Sequence, residues 1–272
     1  MLIHLIIDAY IKRGLAHYSN WAYGNAINDF SMAINLNPTN VIALINRGKS
    51  YMEKNEHKNA IKDFTEVLIL EPSFVDCYIM RGGMYQTMEN YDLSIEDYTT
   101  ALSLDPDNIT AYHGRGMVYY IKKEAALSIA DFSNVIRLDL NNSFEGYTSR
   151  GLAFMGKGEF DLAIKDFNIQ LQKTPDNNHV INLLQIAINE MLSKNPLQGN
   201  SEKSKITVIG RYTGSGKFED EEIFQIIDFM KNPPIKNFPA TLRKKFSHGQ
   251  LELNKVDNFE LIEEIIKNDI DL

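Results

Sequence analysis

The glycine-rich stretch 210–217, GRYTGSGK, is the part of the chain that comes nearest to a phosphate-binding loop. Such a loop needs the spacing G-x-x-x-x-G-K-[ST], in which backbone N–H groups surround the phosphates and a hydroxyl group helps to bind Mg²⁺. Here Gly210 and Gly216 are one residue too far apart, and Phe218 stands where the hydroxyl is needed. The acidic residues 219–222 that follow would repel phosphate. We therefore interpret the stretch as a glycine-rich turn.

The histidines and the single cysteine do not form a recognisable metal site or catalytic site. The histidines are dispersed, without metal-ligand spacing, at His4, His17, His57, His113, His179 and His248. Cys77 alone excludes an internal disulfide and a cysteine-based zinc site, and we expect it to be buried as a small apolar residue. No Ser/His/Asp arrangement is visible from spacing. We therefore predict no metal, no cofactor and no catalytic residue.

Arginine and aspartate recur together, and their chemistry is that of an ion pair. The pairs are Arg13 with Asp29, Arg47 with Asp63, Arg81 with Asp97, Arg115 with Asp131, and Arg150 with Asp166. We predict that each pair joins two antiparallel helices and sets their register. Exposed pairs contribute only ~0–1 kcal/mol, so the pairs would matter more if they are partly buried.

The same arginines belong to a repeat, because each is followed by a glycine and the steps between these glycines are 34, 34, 34 and 35 residues. A small residue, an aromatic residue and, in four copies, a proline keep the same period. They are Gly14, Gly48, Gly82, Gly116 and Gly151; Ala26, Ala60, Ser94, Ser128 and Ala163; Phe30, Phe64, Tyr98, Phe132 and Phe167; and Pro38, Pro72, Pro106 and Pro175. Glycine costs ~1 kcal/mol in a helix relative to alanine, so its recurrence indicates close packing of two helices. Proline ends the second helix.

Over residues 7–177 this Gly…Tyr…Ala…Phe…Pro pattern resembles the tetratricopeptide repeat family, although arginine precedes each glycine where that family commonly has leucine. The resemblance implies a mainly α fold, a right-handed superhelical α-solenoid of five helix-turn-helix units. The expected repeats are 7–40, 41–74, 75–108, 109–143 and 144–177. Residues 178–193 are apolar on most sides, and we expect them to form a capping helix that completes a solenoid domain over 1–193.

In the family that the chain resembles, the first helix of each repeat lines a concave groove that binds peptides or partner helices. Carried over by position, the lining candidates are Tyr18, Ile45, Asn46, Lys49, Met52, Ile79, Met80, Gln86, His113, Met117, Tyr120, Thr148 and Met155. We expect about half of them merely to pack against neighbouring helices. A surface rich in methionine and tyrosine suits a protein or peptide partner that is at least partly apolar.

One subtype of the family, the chaperone-binding form, holds a terminal carboxylate with a Lys/Asn/Arg clamp. The matching positions here are Ile11, Leu15, Asn46, Asp76 and Met80. Only Asn46 agrees with the clamp, and Asp76 would repel a carboxylate. We therefore do not expect an acidic-tail ligand.

The chain changes character after the predicted cap. Residues 194–205 form a polar linker with Pro, Gly and Ser, and residues 206–272 alternate between predicted strands and helices in a small α+β module. We assign no family to this module. A catalytic or nucleotide-binding role regulated by the repeats stays an open alternative for it. Its final helix, 257–272, either completes the module or lies in the groove as an intramolecular ligand.

Composition limits the class of partner. The net charge is −8, and the only basic cluster is the triplet at 243–245, so we expect no nucleic-acid binding. No apolar run approaches the ~20 residues of a membrane span, and the N-terminal segment lacks the basic region of a signal peptide, so we expect a cytoplasmic protein. We predict a non-enzymatic adaptor or scaffold, co-chaperone-like, with homo-oligomerisation as a further alternative.

Overall fold

The fold is helical throughout the part of the chain that the structure describes. The structure is a computed structural model, and it describes residues 2–139 and 144–194. Eleven helices and no strand occur in those residues. They are α1 (Leu2–Ser19), α2 (Tyr23–Leu36), α3 (Val41–Glu53), α4 (His57–Leu70), α5 (Val75–Thr87), α6 (Tyr91–Leu104), α7 (Ile109–Ile121), α8 (Ala125–Leu138), α9 (Phe144–Lys157), α10 (Phe160–Lys173) and α11 (Asn178–Lys194). The predicted α+β module, 206–272, lies outside the described residues, as do the glycine-rich stretch and the final helix within it.

The helices pair as the repeat predicts. The first helices of the five repeats are α1, α3, α5, α7 and α9, and each packs against the helix that follows it. The prediction of a mainly helical fold is therefore confirmed for the described residues. The helix α1 begins at Leu2, upstream of the expected start of the first repeat at residue 7.

Each first helix ends in a tight turn built around one residue with a positive φ angle. These residues are Trp21, Asn55, Glu89, Lys123 and Gly158, with φ between 58° and 83°. In the first turn the N–H of Ala22 donates to the carbonyl of His17 at 2.9 Å, and the same bond recurs in the other four turns. The left-handed residue thereby ends the helix while satisfying carbonyls that would otherwise be free.

The connections from one repeat to the next begin new helices with a different device. The prolines follow the second helices, where they prevent a further helical turn. The side chains of Asn40 and Asn108 then accept hydrogen bonds from the N–H groups of Ala43 and Ala111, at 2.9 and 3.0 Å. These side chains act as N-caps, which satisfy N–H groups that have no partner within the helix.

The repeated glycines allow the aromatic residue of the second helix to reach the first helix. Phe30, Phe64, Phe132 and Phe167 are fully buried. A Cβ atom added at Gly48 would lie 2.7 Å from Cε1 of Phe64, and Gly151 faces Phe167 at 2.5 Å. Any larger residue would therefore displace the ring or the helix in four repeats, whereas in the third a Cβ atom at Gly82 would come no nearer than 3.3 Å to an atom of the second helix.

Two of the small residues add a hydrogen bond to this close contact. The buried hydroxyl of Ser94 donates to the carbonyl of Gly82 at 2.8 Å, and Ser128 donates to Gly116 at 2.9 Å. Both bonds join the second helix to the first at the glycine itself. The other three repeats have alanine at this register and lack such a bond.

The helices form two compact units, divided between Asn141 and Asn142. The first unit contains α1 to α8 and the second contains α9 to α11. The division falls where the period lengthens from 34 to 35 residues. Within the second unit, α11 packs against α10 and α9, and Val180, Ala187 and Met191 join Phe167 in one apolar cluster.

Candidate functional site

The predicted ion pair is present in every repeat, with both carboxylate oxygens engaged. Nε of Arg81 donates to Oδ2 of Asp97 at 2.8 Å, and Nη2 donates to Oδ1 at 2.7 Å. The other four pairs have the same two bonds, with distances between 2.6 and 2.8 Å. A planar guanidinium group matches a carboxylate in this bidentate manner, which fixes the orientation of both side chains. The prediction of an intra-repeat pair is confirmed.

Within the first unit, three of these arginines also bind the preceding repeat. The third guanidinium nitrogen, Nη1, donates to Ser31 from Arg47, to Thr65 from Arg81 and to Thr99 from Arg115, at 3.0–3.1 Å. Each acceptor lies on the second helix of the repeat before. Sequence reasoning missed this contact, although a hydroxyl residue 16 positions before each of these arginines is visible in the sequence. The arginine therefore joins three helices.

Among the described residues, aromatic rings lie beside the guanidinium group of every repeat, two rings in the last three repeats and one in the first two. The Cζ atom of Arg81 lies 5.7 Å from the ring centre of Tyr78 and 5.9 Å from that of Tyr85. Arg115 has the same neighbours in Tyr112 and Tyr119, at 5.8 and 5.9 Å. Cations are attracted to aromatic faces at this distance, so the rings stabilise the charge that the fold partly buries.

The pKa of the paired carboxyl group shifts in opposite directions in the first and the third repeat. The Arg13 side chain is 63% exposed, whereas that of Arg81 is 17% exposed. The hydrogen bond from Arg13 lowers the pKa of Asp29. Burial raises the pKa of Asp97 in spite of the same bond from Arg81. The pair geometry is thus constant and both carboxyl groups are nearly buried, at 6% and 5% exposure, so the difference follows the exposure of the arginine side of the pair.

All thirteen lining candidates are partly exposed, neither buried nor fully open. Eleven of them lie on α1, α3, α5 and α7 of the first unit, and we call these eleven the lining surface: Tyr18, Ile45, Asn46, Lys49, Met52, Ile79, Met80, Gln86, His113, Met117 and Tyr120. Thr148 and Met155 lie on α9 of the second unit.

Several lining candidates have packing roles as well. Ile45, Met52 and Met80 pack against the apolar cluster around Phe64, Ile79 packs against the cluster around Tyr98, and Met155 packs in the second unit. The Asn46 amide donates to the carbonyl of Ile42 in its own helix at 2.7 Å, and the His113 ring lies 5.6 Å from that of Phe132. Tyr18 donates to Glu53 at 3.4 Å. These contacts hold the lining side chains in defined positions.

The predicted lining positions also differ from the arginine, glycine and aspartate positions in how much they vary between repeats. Arginine, glycine and aspartate are identical in all five repeats. By contrast, the register four residues after the glycine carries Tyr18, Met52, Gln86, Tyr120 and Met155. The three residues of the ion pair and its close contact are therefore constant, whereas this partly exposed register of the first helices changes its chemistry from repeat to repeat.

The clamp positions and the cysteine do not form a site. Ile11 is buried and cannot contact a carboxylate ligand, and Asp76 is exposed. Cys77 is fully buried as predicted, and burial raises the pKa of its thiol to about 12, so the reactive thiolate does not form near neutral pH.

Neither metal-binding clusters nor membrane-spanning segments occur in the described ranges. Residues 2–139 and 144–194 contain no group of three or more His, Cys, Asp or Glu side chains that could hold a metal ion. Among the helices of these ranges, none combines the length and apolarity needed to cross a membrane.

Comparison with known families and structures agrees with the geometry. Residues 41–74 match the family model described as tetratricopeptide repeat, and residues 82–123 match the one described as TPR repeat. No curated protein matches the chain. The chain therefore contains a tetratricopeptide repeat segment, and this class of segment is a scaffold for protein–protein interaction.

Several solved structures share the fold. They include the crystal structure of MamA protein, at 24% identity over 64% of this chain and 94% of that chain, with a TM-score of 0.59. YrrB, described as a TPR protein with an unusual peptide-binding site, has 18% identity over 64% and 89%, with a TM-score of 0.56. A tetratricopeptide repeat protein from Parabacteroides merdae ATCC 43184 has 16% identity over 70% and 75%, with a TM-score of 0.64. At these identities the likeness concerns the fold alone.

Proposed function

We propose that the protein is an adaptor that binds a peptide segment of a partner protein on the lining surface of its first unit. One observation carries the proposal: a set of registers on α1, α3, α5 and α7 is partly exposed and varies in chemistry, while the arginine and glycine registers of the same helices are identical in every repeat. The varied surface supports recognition of one particular partner.

The chemistry of the surface favours a partner with apolar side chains. Methionine side chains such as Met52 and Met117 are flexible and polarizable, and tyrosines such as Tyr120 combine an apolar ring with a hydroxyl group. Lys49 adds one positive charge. YrrB, which has the same fold, is described as having a peptide-binding site, and this likeness supports the proposal without deciding the position of the site.

The test asks which partner proteins are captured by two variants of the full-length protein, each of which carries two introduced glutamates. The first carries Met52→Glu and Tyr120→Glu on the lining surface. The matched control carries Met32→Glu and Leu127→Glu, which introduce the same charges at exposed apolar positions of α2 and α8. Captured proteins are identified by mass spectrometry, and circular dichroism confirms that both variants retain the helix content of the wild type.

We expect a partner that the wild type and the control capture and that the lining variant loses. Purified partner should then bind with an affinity that falls by at least about 10-fold in the lining variant alone. A partner that ignores the lining changes and requires residues 195–272 would contradict the proposal. The function would then belong to the C-terminal part of the chain.

A further inference from the structure

Two glycines outside the Arg–Gly dipeptides leave a gap in the lining surface. Gly83 on α5 stands at the register that carries Lys49 and Met117 in the neighbouring repeats. Gly114 on α7 stands at the register that carries Asn46 and Met80. In these two adjacent first helices, side chains that would line the surface are therefore missing at facing positions.

The gap coincides with the one repeat in which tyrosine replaces phenylalanine. Tyr98 on α6 takes the place of Phe30, Phe64 and Phe132. A Cβ atom added at Gly114 would lie 2.6 Å from the hydroxyl oxygen of Tyr98, and one added at Gly83 would lie 3.6 Å from it. The ring thus enters between α5 and α7 from the second-helix side, and its hydroxyl group lies between the two glycines. We call Gly83, Tyr98 and Gly114 the notch.

The hydroxyl group in the notch has no hydrogen-bond partner among the described residues, although Tyr98 is only 5% exposed. The flanking Gly83 and Gly114 are both partly exposed, so the Tyr98 hydroxyl lies next to the surface. Burial raises the pKa of Tyr98 to about 12. The group is therefore protonated near neutral pH and able to donate a hydrogen bond.

The surroundings of the hydroxyl decide which acceptor can reach it. Glycine permits another main chain to approach closely, because no side chain stands in the way. A carbonyl oxygen in a helical ligand is already bonded within its own helix, whereas that of an extended segment is free. The neighbouring Ile79 and Met117 offer apolar contacts to the side chains on either side of such a segment.

We propose that an extended partner peptide crosses the notch and that one of its main-chain carbonyl oxygens accepts a hydrogen bond from the Tyr98 hydroxyl. The inference rests on the proposed function and deepens it, because it selects an extended peptide over a helix and names the group that anchors it. The two glycines provide the clearance, and the tyrosine provides the donor.

The test uses a linear peptide selected from a random 12-residue library on the full-length protein, and then synthesised. Its affinity is measured for the wild type, for Tyr98→Phe and for Gly83→Met. Both substitutions install a residue that the chain already has at the same register, Phe132 and Met117 respectively. The matched control is Gly24→Met on α2, where nothing lies within 4 Å of an added Cβ atom.

We expect Gly83→Met to weaken binding by about 10-fold or more, and Tyr98→Phe to weaken it by about 5-fold, as the loss of one hydrogen bond predicts. Gly24→Met should bind as the wild type does. A scan that replaces each carbonyl oxygen of the peptide by sulfur, a weaker acceptor, should identify one position that weakens binding to the wild type and leaves binding to Tyr98→Phe unchanged.

Two failures are distinguishable. If Met52→Glu with Tyr120→Glu abolishes binding while Tyr98→Phe and Gly83→Met bind as the wild type does, the notch is not the anchor and the proposed function stands. If the selected peptides ignore Met52→Glu with Tyr120→Glu, or if no peptide is selected, the proposed function itself fails. A bound peptide that is helical by circular dichroism would overturn the inference directly.

Discussion

At the scale of single residues, the arginine of each repeat replaces an apolar packing contact by a directional one. The guanidinium group of Arg81 donates to Asp97 of its own repeat and to Thr65 of the repeat before, between two tyrosine rings. Leucine at this register would pack without fixing an orientation. The arginine fixes the positions of three helices relative to one another, because hydrogen bonds depend on direction as well as distance.

The energy of the pair should follow its burial. We expect Arg81→Leu to destabilise the protein by about 3 kcal/mol, because the buried carboxylate of Asp97 is left without a partner. Adding Asp97→Asn should recover part of the loss, and the double-mutant cycle should give a coupling above ~1 kcal/mol. Urea unfolding of the wild type, the two single variants and the double variant measures this coupling.

The first repeat provides the matched control for this cycle. Arg13 and Asp29 form the same two hydrogen bonds, but the arginine is mostly exposed. The same substitutions, Arg13→Leu and Asp29→Asn, should give a clearly smaller coupling because water screens the pair. Equal couplings in both repeats would show that burial does not control the strength of the pair.

The sequence predicted some of these residue contacts and missed others for a physical reason. A constant separation within one helical hairpin was enough to pair Arg81 with Asp97. The hydrogen bond from Arg81 to Thr65 depends on how one hairpin packs on the next, which the pattern within a repeat does not contain. The notch escaped prediction for the same reason, since Tyr98, Gly83 and Gly114 belong to three different helices.

At the scale of elements, close approach of two helices depends on an absent side chain. Gly48 lies against the fully buried ring of Phe64, which would be only 2.7 Å from an added Cβ atom. Gly24, on the outer part of α2, has no atom within 4 Å of the position of a Cβ atom. Both glycines therefore lie in helices, but only Gly48 lacks room for a side chain.

This difference predicts opposite effects of one substitution. Gly48→Ala should destabilise the protein by about 2 kcal/mol, because the added methyl group forces Phe64 from its position. Gly24→Ala should stabilise it by about 0.5 kcal/mol, because alanine restricts the unfolded chain. Both changes are measured as shifts in the midpoint of urea unfolding, provided that the slope of the unfolding free energy against urea concentration stays constant. A neutral Gly48→Ala would mean that the helix pair adapts to the extra volume.

Helix positions were predictable from the sequence, but the geometry of the turns was not. The period and the prolines indicated where second helices end. The left-handed turn residues include Trp21, Glu89 and Lys123, which do not favour positive φ. The hydrogen bonds of the turn impose that conformation on whatever residue stands there, so residue type carries little information about it.

At the scale of the whole molecule, the ends of a repeat array have fewer neighbours than its middle. α1 exposes Leu2, Ile3 and Leu5, and among the described residues Arg13 on α1 has no hydroxyl partner of the kind that Arg47 finds in Ser31. Because each repeat is stabilised by the repeats beside it, α1 should open more readily than an interior helix of the same unit.

Hydrogen exchange on the full-length protein tests this difference. We expect the amides of α1 to exchange at least about 10-fold faster than those of α5, with α5 as the internal control in the same unit. Peptide-level mass spectrometry of deuterium uptake separates the two helices. Equal protection would show that another surface covers α1 in solution, and measurement at two protein concentrations would then reveal whether that surface is a second copy.

The constant spacing on both sides of each arginine has a consequence for how the gene can change in length. Ser31 lies 16 residues before Arg47, and Asp63 lies 16 residues after it. Loss of the 34 residues 48–81 would join Arg47 to Asp97 at the same separation. Within the first four repeats, an unequal crossover in whole periods of 34 residues therefore keeps the separation of the arginine from both of its partners, whereas a crossover of any other length changes it. The array can thus gain or lose whole repeats with its arginine contacts intact, although the repeat after Tyr98 must keep a glycine at the register of Gly114.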